Sequence, residues 1–226
     1  MIGDNAENGA LTLDLAFPYR VLGTGEKSRD CLFVLHGSGV DETSMMELAR
    51  RMARDALLVA VRGRVPQEEG FRWFERITPT RFDQDSIRTE TAAFAAFARD
   101  AAARHGLDLD RATFLGYSNG ANLVSSLMLL HPGIVRGAVL LRPMPVLDQV
   151  PSTDLAGTRT LIIAGAADET YGPFAPALVT LLSRHGSEID ARIVPSGHEI
   201  GEPDAAIVGQ WLGGSGAEKG PVEPMA

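Results

Sequence analysis

The 226-residue sequence has a single cysteine, Cys31, and no long hydrophobic run. One cysteine can form neither an intramolecular disulfide nor a zinc cluster nor a CxxC redox pair. No stretch approaches the ~18 uncharged apolar residues typical of a membrane-spanning helix. The N-terminus is acidic, whereas a secretory signal is basic and then apolar. We therefore expect a cytoplasmic protein that does not insert into a membrane.

Basic residues are also few, with 21 Lys and Arg against 29 Asp and Glu, for a formal net charge of −8. They are scattered along the chain, which disfavours nucleic acid and anionic membrane surfaces as partners. Hydrophobic residues make up 45% of the chain and charged residues 22%. This balance is typical of a folded globular protein with a sizeable core.

Short apolar runs predict the strands of a sheet. Alternation of apolar and other residues over 11–17 predicts an outer antiparallel strand with one exposed face. Continuously apolar runs predict strands that are covered on both faces. These runs are Cys31–Leu35, Ala56–Val61, Ala112–Leu115, Gly137–Leu141 and Thr160–Ala164.

Segments with helical spacing alternate with these strands. One contains Phe94, Phe97 and Ala101 and ends at Gly106, and the others cover about residues 119–130, 173–185 and 203–212. The alternation predicts the α/β class: one domain over residues 1–213, with a mostly parallel central sheet and helices on both faces. Residues 62–82 and 142–158 should lie over the carboxyl ends of the strands, and neither is long enough for a large cap domain. Residues 214–226 are predicted to form a flexible tail.

The segment Gly-Tyr-Ser-Asn-Gly at residues 116–120 matches the pattern G-x-S-x-G. It follows a predicted strand and opens a predicted helix, which is the arrangement of a nucleophile elbow. A side chain at either glycine would collide with a neighbouring helix or strand, so glycine at both positions fits this turn. The pattern predicts that Ser118 is a nucleophile at the positive end of a helix.

A serine hydroxyl needs a base to take its proton, and histidine suits this role near neutral pH. Of the five histidines, three lie near predicted helix ends and are interpreted as structural: His105, His131 and His185. His36 ends a strand in a region suited to an oxyanion site, where it either orients the loop or simply packs. His198 lies between a strand and the last helix and is the predicted base.

The acid and the oxyanion donors are predicted from chain order. In an α/β-hydrolase the acid follows the serine and precedes the histidine. Asp168 directly follows a predicted strand and is the first choice, with Glu169 as the alternative. The oxyanion hole should combine the backbone N–H of Asn119 with one from the loop after the first core strand, for which we choose Ser38.

Three further side chains are candidates for contact with the substrate. Trp73 either lines a pocket or belongs to a separate hydrophobic cluster, and both readings stay open. The site is predicted to be an open, shallow cleft bordered by residues 71–74 and by the turn at residues 142–144, which ends at Met144. Arg142 could hold a substrate carboxylate, although a structural ion pair is the favoured interpretation.

Several segments, in order along the chain, resemble the phospholipase/carboxylesterase family of α/β-hydrolases, and within it small bacterial esterases related to dienelactone hydrolase. The segments are residues 35–42 (LHGSGVDE), 115–122 (LGYSNGAN), 140–145 (LLRPMP), 164–168 (AGAAD) and 196–198 (SGH). The resemblance implies a serine carboxylesterase for small acyl esters, with Ser118, Asp168 and His198 as its triad, and it suggests a homodimer. Acyl-protein thioesterases usually have Phe and Gln beside the serine, where this chain has Tyr and Asn. The resemblance therefore does not imply that this protein removes palmitoyl groups from other proteins.

The sequence thus predicts hydrolysis of small, short-chain carboxylic esters through an acyl-enzyme, a reaction that needs no metal and no organic cofactor. Hydrolysis of lactones or dienelactones is an alternative on the same scaffold. An inactive hydrolase fold that binds a small molecule is an alternative of another class.

Overall fold

The computed structural model describes residues 9–23, 30–67 and 69–214. The described strands are β1 (Tyr19–Leu22), β2 (Cys31–Leu35), β3 (Leu57–Val61), β4 (Val65–Gln67), β5 (Gly70–Arg72), β6 (Arg76–Thr78), β7 (Arg81–Phe82), β8 (Ala112–Tyr117), β9 (Gly137–Leu141), β10 (Arg159–Gly165) and β11 (Glu188–Val194). The described helices are α1 (Met46–Met52), α2 (Gln84–His105), α3 (Asn119–Leu130), α4 (Ala175–Arg184) and α5 (Glu202–Leu212). A 3₁₀ turn at Gly172–Phe174 precedes α4.

Seven of these strands form one sheet in the order β1-β3-β2-β8-β9-β10-β11. β1 runs antiparallel to β3, and every other neighbouring pair in this sheet is parallel. Parallel neighbours need crossover connections, which the helices supply. The predicted α/β class with a mostly parallel central sheet is therefore confirmed.

The outer antiparallel strand lies later in the chain than predicted. Alternation placed it over residues 11–17, but β1 begins at Tyr19, and of that earlier segment Thr12 alone forms an isolated bridge, with Tyr19. Leu13 is 70% exposed. The strand's position is decided by its register on β3, where Tyr19 lies opposite Val61, and a local alternation does not report which residues a neighbouring strand pairs with.

The two faces of the sheet are separated by the period-2 alternation of each strand. In β2, Phe33 and Leu35 point into one hydrophobic cluster, whereas Leu32 and Val34 point into another. Helices α2, α3 and α4 cover the first face, and α1 and α5 cover the second. The buried runs that predicted strands thus have helices on both sides.

Helix α2 shows how local signals set the ends of an element. The Asp83 side chain accepts a hydrogen bond of 2.7 Å from the Ser86 N–H and caps the start of the helix, as short polar side chains do at this position. The helix ends at Gly106, whose φ of 64° is in the left-handed region that glycine tolerates. The predicted stop at Gly106 is confirmed.

The two segments predicted to be irregular, residues 62–82 and 142–158, differ in the structure. Residues 62–82 contain two small hairpins, β4–β5 and β6–β7, which the sequence analysis missed, as it also missed the short helix α1. Residues 142–158 contain no helix or strand, so no large cap is inserted between β9 and β10. In the described ranges, no helix is long and apolar enough to cross a membrane. The predicted tail lies outside the described residues from position 215 onward.

Candidate active site

Ser118 lies in a sharp turn between β8 and α3. Its φ of 52° and ψ of −115° are strained for a residue with a side chain. Its N–H donates to the carbonyl oxygen of Leu141 at 2.8 Å, which ties the turn to β9. The structure therefore places Ser118 at the carboxyl end of the sheet in the strained strand-to-helix turn that the sequence predicted.

The two glycines of this turn have no room for side chains. A Cβ added to Gly116 would lie 2.5 Å from the backbone of Gly120 and Ala121 in α3. A Cβ added to Gly120 would lie 2.3 Å from the carbonyl oxygen of Leu35 in β2. Both distances are far below van der Waals contact, so the steric interpretation of the G-x-S-x-G pattern holds in the structure.

Three predicted residues from separate loops meet at this turn. Ser118 Oγ lies 2.9 Å from His198 Nε2, and His198 Nδ1 lies 2.7 Å from Asp168 Oδ2. Asp168 follows β10 and His198 follows β11, so adjacent parallel strands deliver the acid and the imidazole to one edge of the sheet. Glu169, the alternative acid, is exposed to solvent.

The ionised state of the Asp168 carboxyl determines which ring nitrogen of His198 carries the proton. Burial by itself raises the pKa of this carboxyl, but hydrogen bonds from the Tyr171 N–H and from His198 outweigh it and lower the pKa. The ionised carboxylate accepts a hydrogen bond from the Nδ1–H of His198, which leaves Nε2 as the acceptor facing the Ser118 hydroxyl. The imidazole is thus oriented as a base toward the serine.

Tyr171 is a part of the site that the sequence analysis missed. Its backbone N–H donates to Asp168 Oδ1 at 2.9 Å, and its ring centroid lies 4.7 Å from that of His198. The signal available in the sequence was an aromatic residue three positions after the acid, where an Asp side chain commonly accepts from a turn N–H. Tyr171 therefore helps to position both the acid and the imidazole.

The loop after β2 lies beside the nucleophile. A Cβ added to Gly37 would lie 3.7 Å from Ser118 Cβ. Among the described residues, the backbone N–H groups of Ser38 and Asn119 have no hydrogen-bond acceptor. Asn119 is the first residue of α3, where helical N–H groups have no partner within the helix.

His36 holds this loop and does not act on a proton. Its Nε2 accepts a hydrogen bond of 2.9 Å from the Gly63 N–H, and its Nδ1 lies 2.6 Å from the Gly37 carbonyl oxygen. Burial lowers the pKa of this imidazole, which favours the neutral form that both contacts require. Of the two readings left open, orientation of the oxyanion loop is the one that fits these contacts.

Trp73 does not line a pocket. Its side chain is fully buried and packs against Phe17 and Phe94, with ring centroids 6.0 and 5.6 Å away. Its Nε1–H donates to the His36 carbonyl oxygen at 2.8 Å, and its backbone N–H donates to Asn119 Oδ1 at the same distance. The predicted substrate contact at Trp73 is wrong, because the packing of the core against the hairpin turns this ring inward. Trp73 instead links the oxyanion loop to the elbow.

Met144 is 3% exposed, and its backbone N–H donates to Asn122 Oδ1 at 2.9 Å. The residue therefore anchors the segment after β9 to α3. Contact between Met144 and the substrate stays a prediction. Only a small part of the side-chain surface is exposed for such a contact.

The other three histidines lie at helix ends, as the sequence analysis interpreted them. His105 ends α2, and its Nε2 lies 3.0 Å from the Tyr19 hydroxyl. His185 follows α4, with Nδ1 2.9 Å from the Thr153 carbonyl oxygen, and His131 follows α3. None of these three rings contacts Ser118.

Arg142 holds the loop that carries His198. It forms a buried, two-point ion pair with Asp204, at 2.8 and 3.1 Å. It also donates to the Gly197 carbonyl oxygen, Ser196 Oγ and the Glu199 carbonyl oxygen, at 2.8–2.9 Å, and to the Ile163 carbonyl oxygen at 3.4 Å. The favoured interpretation as a structural ion pair is therefore the arrangement found. Arg142 is a positioning residue for the imidazole.

We expect Arg142→Met to lower both stability and turnover. Loss of the cation leaves the buried Asp204 carboxylate with no neutralising charge and only the Gly201 N–H as a donor, which costs about 3–5 kcal/mol in unfolding free energy. Displacement of the His198 loop should lower kcat by about 10- to 100-fold with little change in KM. Urea unfolding and steady-state kinetics measure the two effects.

The matched control is Arg136→Met, because Arg136 and its partner Asp110 are both exposed and such pairs contribute at most about 1 kcal/mol. Wild-type kcat in a folded Arg142→Met protein would contradict this role.

In the described part of the chain, no group of three or more His, Cys, Asp or Glu side chains is arranged to hold a metal ion. The fold and the site define the class: an α/β-hydrolase with a Ser-His-Asp hydrogen-bonded triad on a nucleophile elbow.

Comparisons with known proteins identify the family within that class. No protein-family model matches the chain. The chain is 30% identical over 185 residues to MhqD of Bacillus subtilis (strain 168), a hydrolase by name, with coverage of 81% of this chain and 92% of that protein. The structure of a carboxylesterase from Mesorhizobium loti is 78% identical, with a TM-score of 0.90 and coverage of 92% of this chain and all of the other. The Bacillus cereus carboxylesterase is 26% identical, with a TM-score of 0.83 and coverage of 88% and 94%. The chain belongs to the carboxylesterase family of α/β-hydrolases that includes the Mesorhizobium loti enzyme.

Proposed function

We propose that this protein is a serine carboxylesterase that hydrolyses small, short-chain esters through an acyl-enzyme. The observation that carries the proposal is the continuous hydrogen-bonded chain Ser118–His198–Asp168 at a strained elbow. The 78% identical carboxylesterase supports the same class of reaction. Cytoplasmic residence, a homodimeric state and a single domain over residues 1–213 stay predictions.

The first half of the reaction transfers the acyl group to the serine. Ser118 Oγ attacks the ester carbonyl carbon while its proton moves to His198 Nε2, and Asp168 stabilises the imidazolium that forms. The tetrahedral oxyanion lies within reach of the N–H groups of Ser38 and Asn119, which are oriented before the reaction begins. The C–O bond of the leaving group then breaks, and the imidazolium donates its proton to the departing alcohol.

The second half repeats these steps with water. His198 takes a proton from the water molecule as its oxygen attacks the acyl carbon, and the same two N–H groups stabilise the second oxyanion. Collapse of the intermediate breaks the bond to Ser118 Oγ and returns the proton to the serine. The products are a carboxylic acid and an alcohol, and the enzyme is regenerated without a cofactor.

The short connections over the site support small acyl groups as substrates. Residues 142–158 contain no helix or strand that could cover a long channel. Trp73 and Met144, the large apolar side chains beside the site, are buried in protein contacts. An acyl chain gains about 0.8 kcal/mol per methylene, roughly fourfold in kcat/KM, only while protein still covers it.

We therefore expect kcat/KM to be highest for acetyl to butyryl esters and to level off or fall for longer chains. Hydrolysis of p-nitrophenyl esters from acetate to palmitate measures this profile, with Ser118→Ala as the background control. A lactone in the same panel separates ester from lactone hydrolysis. The small-ester assignment would have to be withdrawn if palmitate were the best substrate, or if activity rose abruptly above the critical micelle concentration.

A further inference from the structure

Arg72 is a buried arginine without an acidic partner. It exposes only 5% of its surface, and its Nε atom is fully buried with no hydrogen-bond acceptor. Within the described ranges, the Arg72 guanidinium forms no ion pair and no hydrogen bond. Its nearest aromatic neighbour is the Phe82 ring, whose centroid lies 5.8 Å from Cζ.

The fold pairs its other shielded arginines. Arg142 binds Asp204, while Arg20 and Arg62 both bind Glu42, at 2.7 and 2.5 Å. A buried guanidinium is costly unless an anion neutralises it. Arg72 is the exception, so an anion that is not part of the described chain would complete its surroundings.

The backbone on either side of Arg72 is tied to the catalytic groups. Phe71 exchanges hydrogen bonds with the oxyanion loop, since its N–H donates to the Val40 carbonyl oxygen and its own carbonyl accepts from Gly39, each at 2.9 Å. Trp73 donates its N–H to Asn119, the residue after the nucleophile, at 2.8 Å. Arg72 therefore lies in the segment that joins the oxyanion loop to the elbow.

The Arg72 side chain has a neighbour in common with the catalytic imidazole. Arg72 is the last residue of β5, and the Phe82 ring beside its guanidinium belongs to the same buried cluster as Trp73. The groups whose charge influences Arg72 include the Glu75 carboxylate, which forms no ion pair with it, and the Tyr171 phenol, whose ring contacts the His198 imidazole. Burial, together with the nearby Arg76, lowers the pKa of Arg72 to about 10, so the guanidinium still carries its charge at neutral pH.

We propose that Arg72 binds a carboxylate group of the substrate, and that the preferred substrates are esters that carry a free carboxylate besides the ester carbonyl. A planar guanidinium can bind a carboxylate through two parallel hydrogen bonds. The sequence alone allows the same role for Arg142, but that guanidinium is already paired with Asp204. The proposal rests on the proposed esterase function and assigns its substrate class.

The test compares esters that differ only in a carboxylate in place of a methyl group. Monomethyl succinate against methyl butyrate places the charge on the acyl side, and 3-acetoxypropanoate against propyl acetate places it on the alcohol side. We expect one charged ester to be preferred in kcat/KM by about 10- to 100-fold, the range expected for a charge-assisted hydrogen bond. Release of acid in a pH-stat measures each rate.

Variants assign the preference to Arg72. Arg72→Met keeps the length of the side chain without its charge and should reduce the ratio of charged to neutral ester to about one, while Arg72→Lys should retain a part of it. The matched control is Arg81→Met, because Arg81 is an exposed arginine of the adjacent hairpin, and its ratio should equal that of the wild type. Thermal unfolding shows whether each variant is folded.

Wild-type measurements keep the proposal independent of the folding of a variant. Succinate should inhibit hydrolysis of methyl butyrate competitively and at least ~10-fold more strongly than butyramide. Equal hydrolysis of both esters in each pair, or equal inhibition by the two compounds, would overturn the role of Arg72 and leave the esterase function intact. Failure to hydrolyse any of the four esters would instead overturn the proposed function.

Discussion

Replacement of Ser118 by alanine is expected to lower kcat for ester hydrolysis by about 10⁴- to 10⁶-fold while the protein stays folded. The hydroxyl that attacks the carbonyl is lost, and water must then react without the acyl-enzyme. The turn itself should persist, because alanine has a Cβ like serine and the Ser118 N–H bond to Leu141 is made by the backbone. Burst-phase and steady-state kinetics with an activated ester measure the loss.

Two controls separate loss of the nucleophile from loss of structure. The double variant Ser118→Ala/His198→Ala should be about as inactive as either single variant, because the two side chains act as a unit. A fluorophosphonate should label the wild type on the peptide that contains Ser118 and should leave Ser118→Ala unlabelled. Near wild-type turnover in a folded Ser118→Ala protein would rule out the serine mechanism, and absence of labelling in the folded wild type would favour an inactive binding protein.

Replacement of Asp168 by asparagine should lower kcat by about 10⁴-fold with a small effect on KM. An amide in place of the carboxylate cannot accept from Nδ1 and stabilise an imidazolium in the same way, so the ring adopts the wrong tautomer toward Ser118. Asparagine keeps the oxygen that accepts from the Tyr171 N–H, so the loop should stay folded. Stopped-flow kinetics near neutral pH, where the lowered pKa of Asp168 keeps the wild-type carboxylate ionised, give the comparison.

Glu169→Gln is the matched control for this variant. It removes a carboxylate from the next residue, which is exposed and has no contact with His198 among the described residues. Its kcat should stay within about twofold of the wild type, as for surface substitutions away from a site. A large loss in Glu169→Gln together with a small loss in Asp168→Asn would exchange the roles of the two acids.

Much of the fold could be predicted because its signals are local. The buried strands are encoded as short apolar runs, α2 by a capping Asp83 and a terminal Gly106, and the elbow by two glycines that flank Ser118. Chain order then singled out Asp168 and His198, since parallel neighbouring strands bring their following loops to one edge of the sheet. The distances between these side chains agree with that prediction.

The errors occurred where a contact between distant segments decides the outcome. Alternation over residues 11–17 resembles a strand, but the register on β3 places β1 at residues 19–22. An aromatic residue in a loop can face solvent, ligand or core, and only the packing of Phe17 and Phe94 around it assigns Trp73 to the core. No local pattern around either segment contains that information.

The sequence by itself determined the α/β class, the elbow and the identity of the three triad side chains, because each depends on residue type, spacing or order along the chain. The tertiary structure alone decided which charges are neutralised. Arg142 and Arg72 are both arginines beside strand ends, yet Asp204, 62 residues later, pairs with the first, and no carboxylate of the described residues forms an ion pair with the second. The pairing of a buried charge depends on which surfaces meet on folding, and the position of those surfaces is a property of the whole packed sheet.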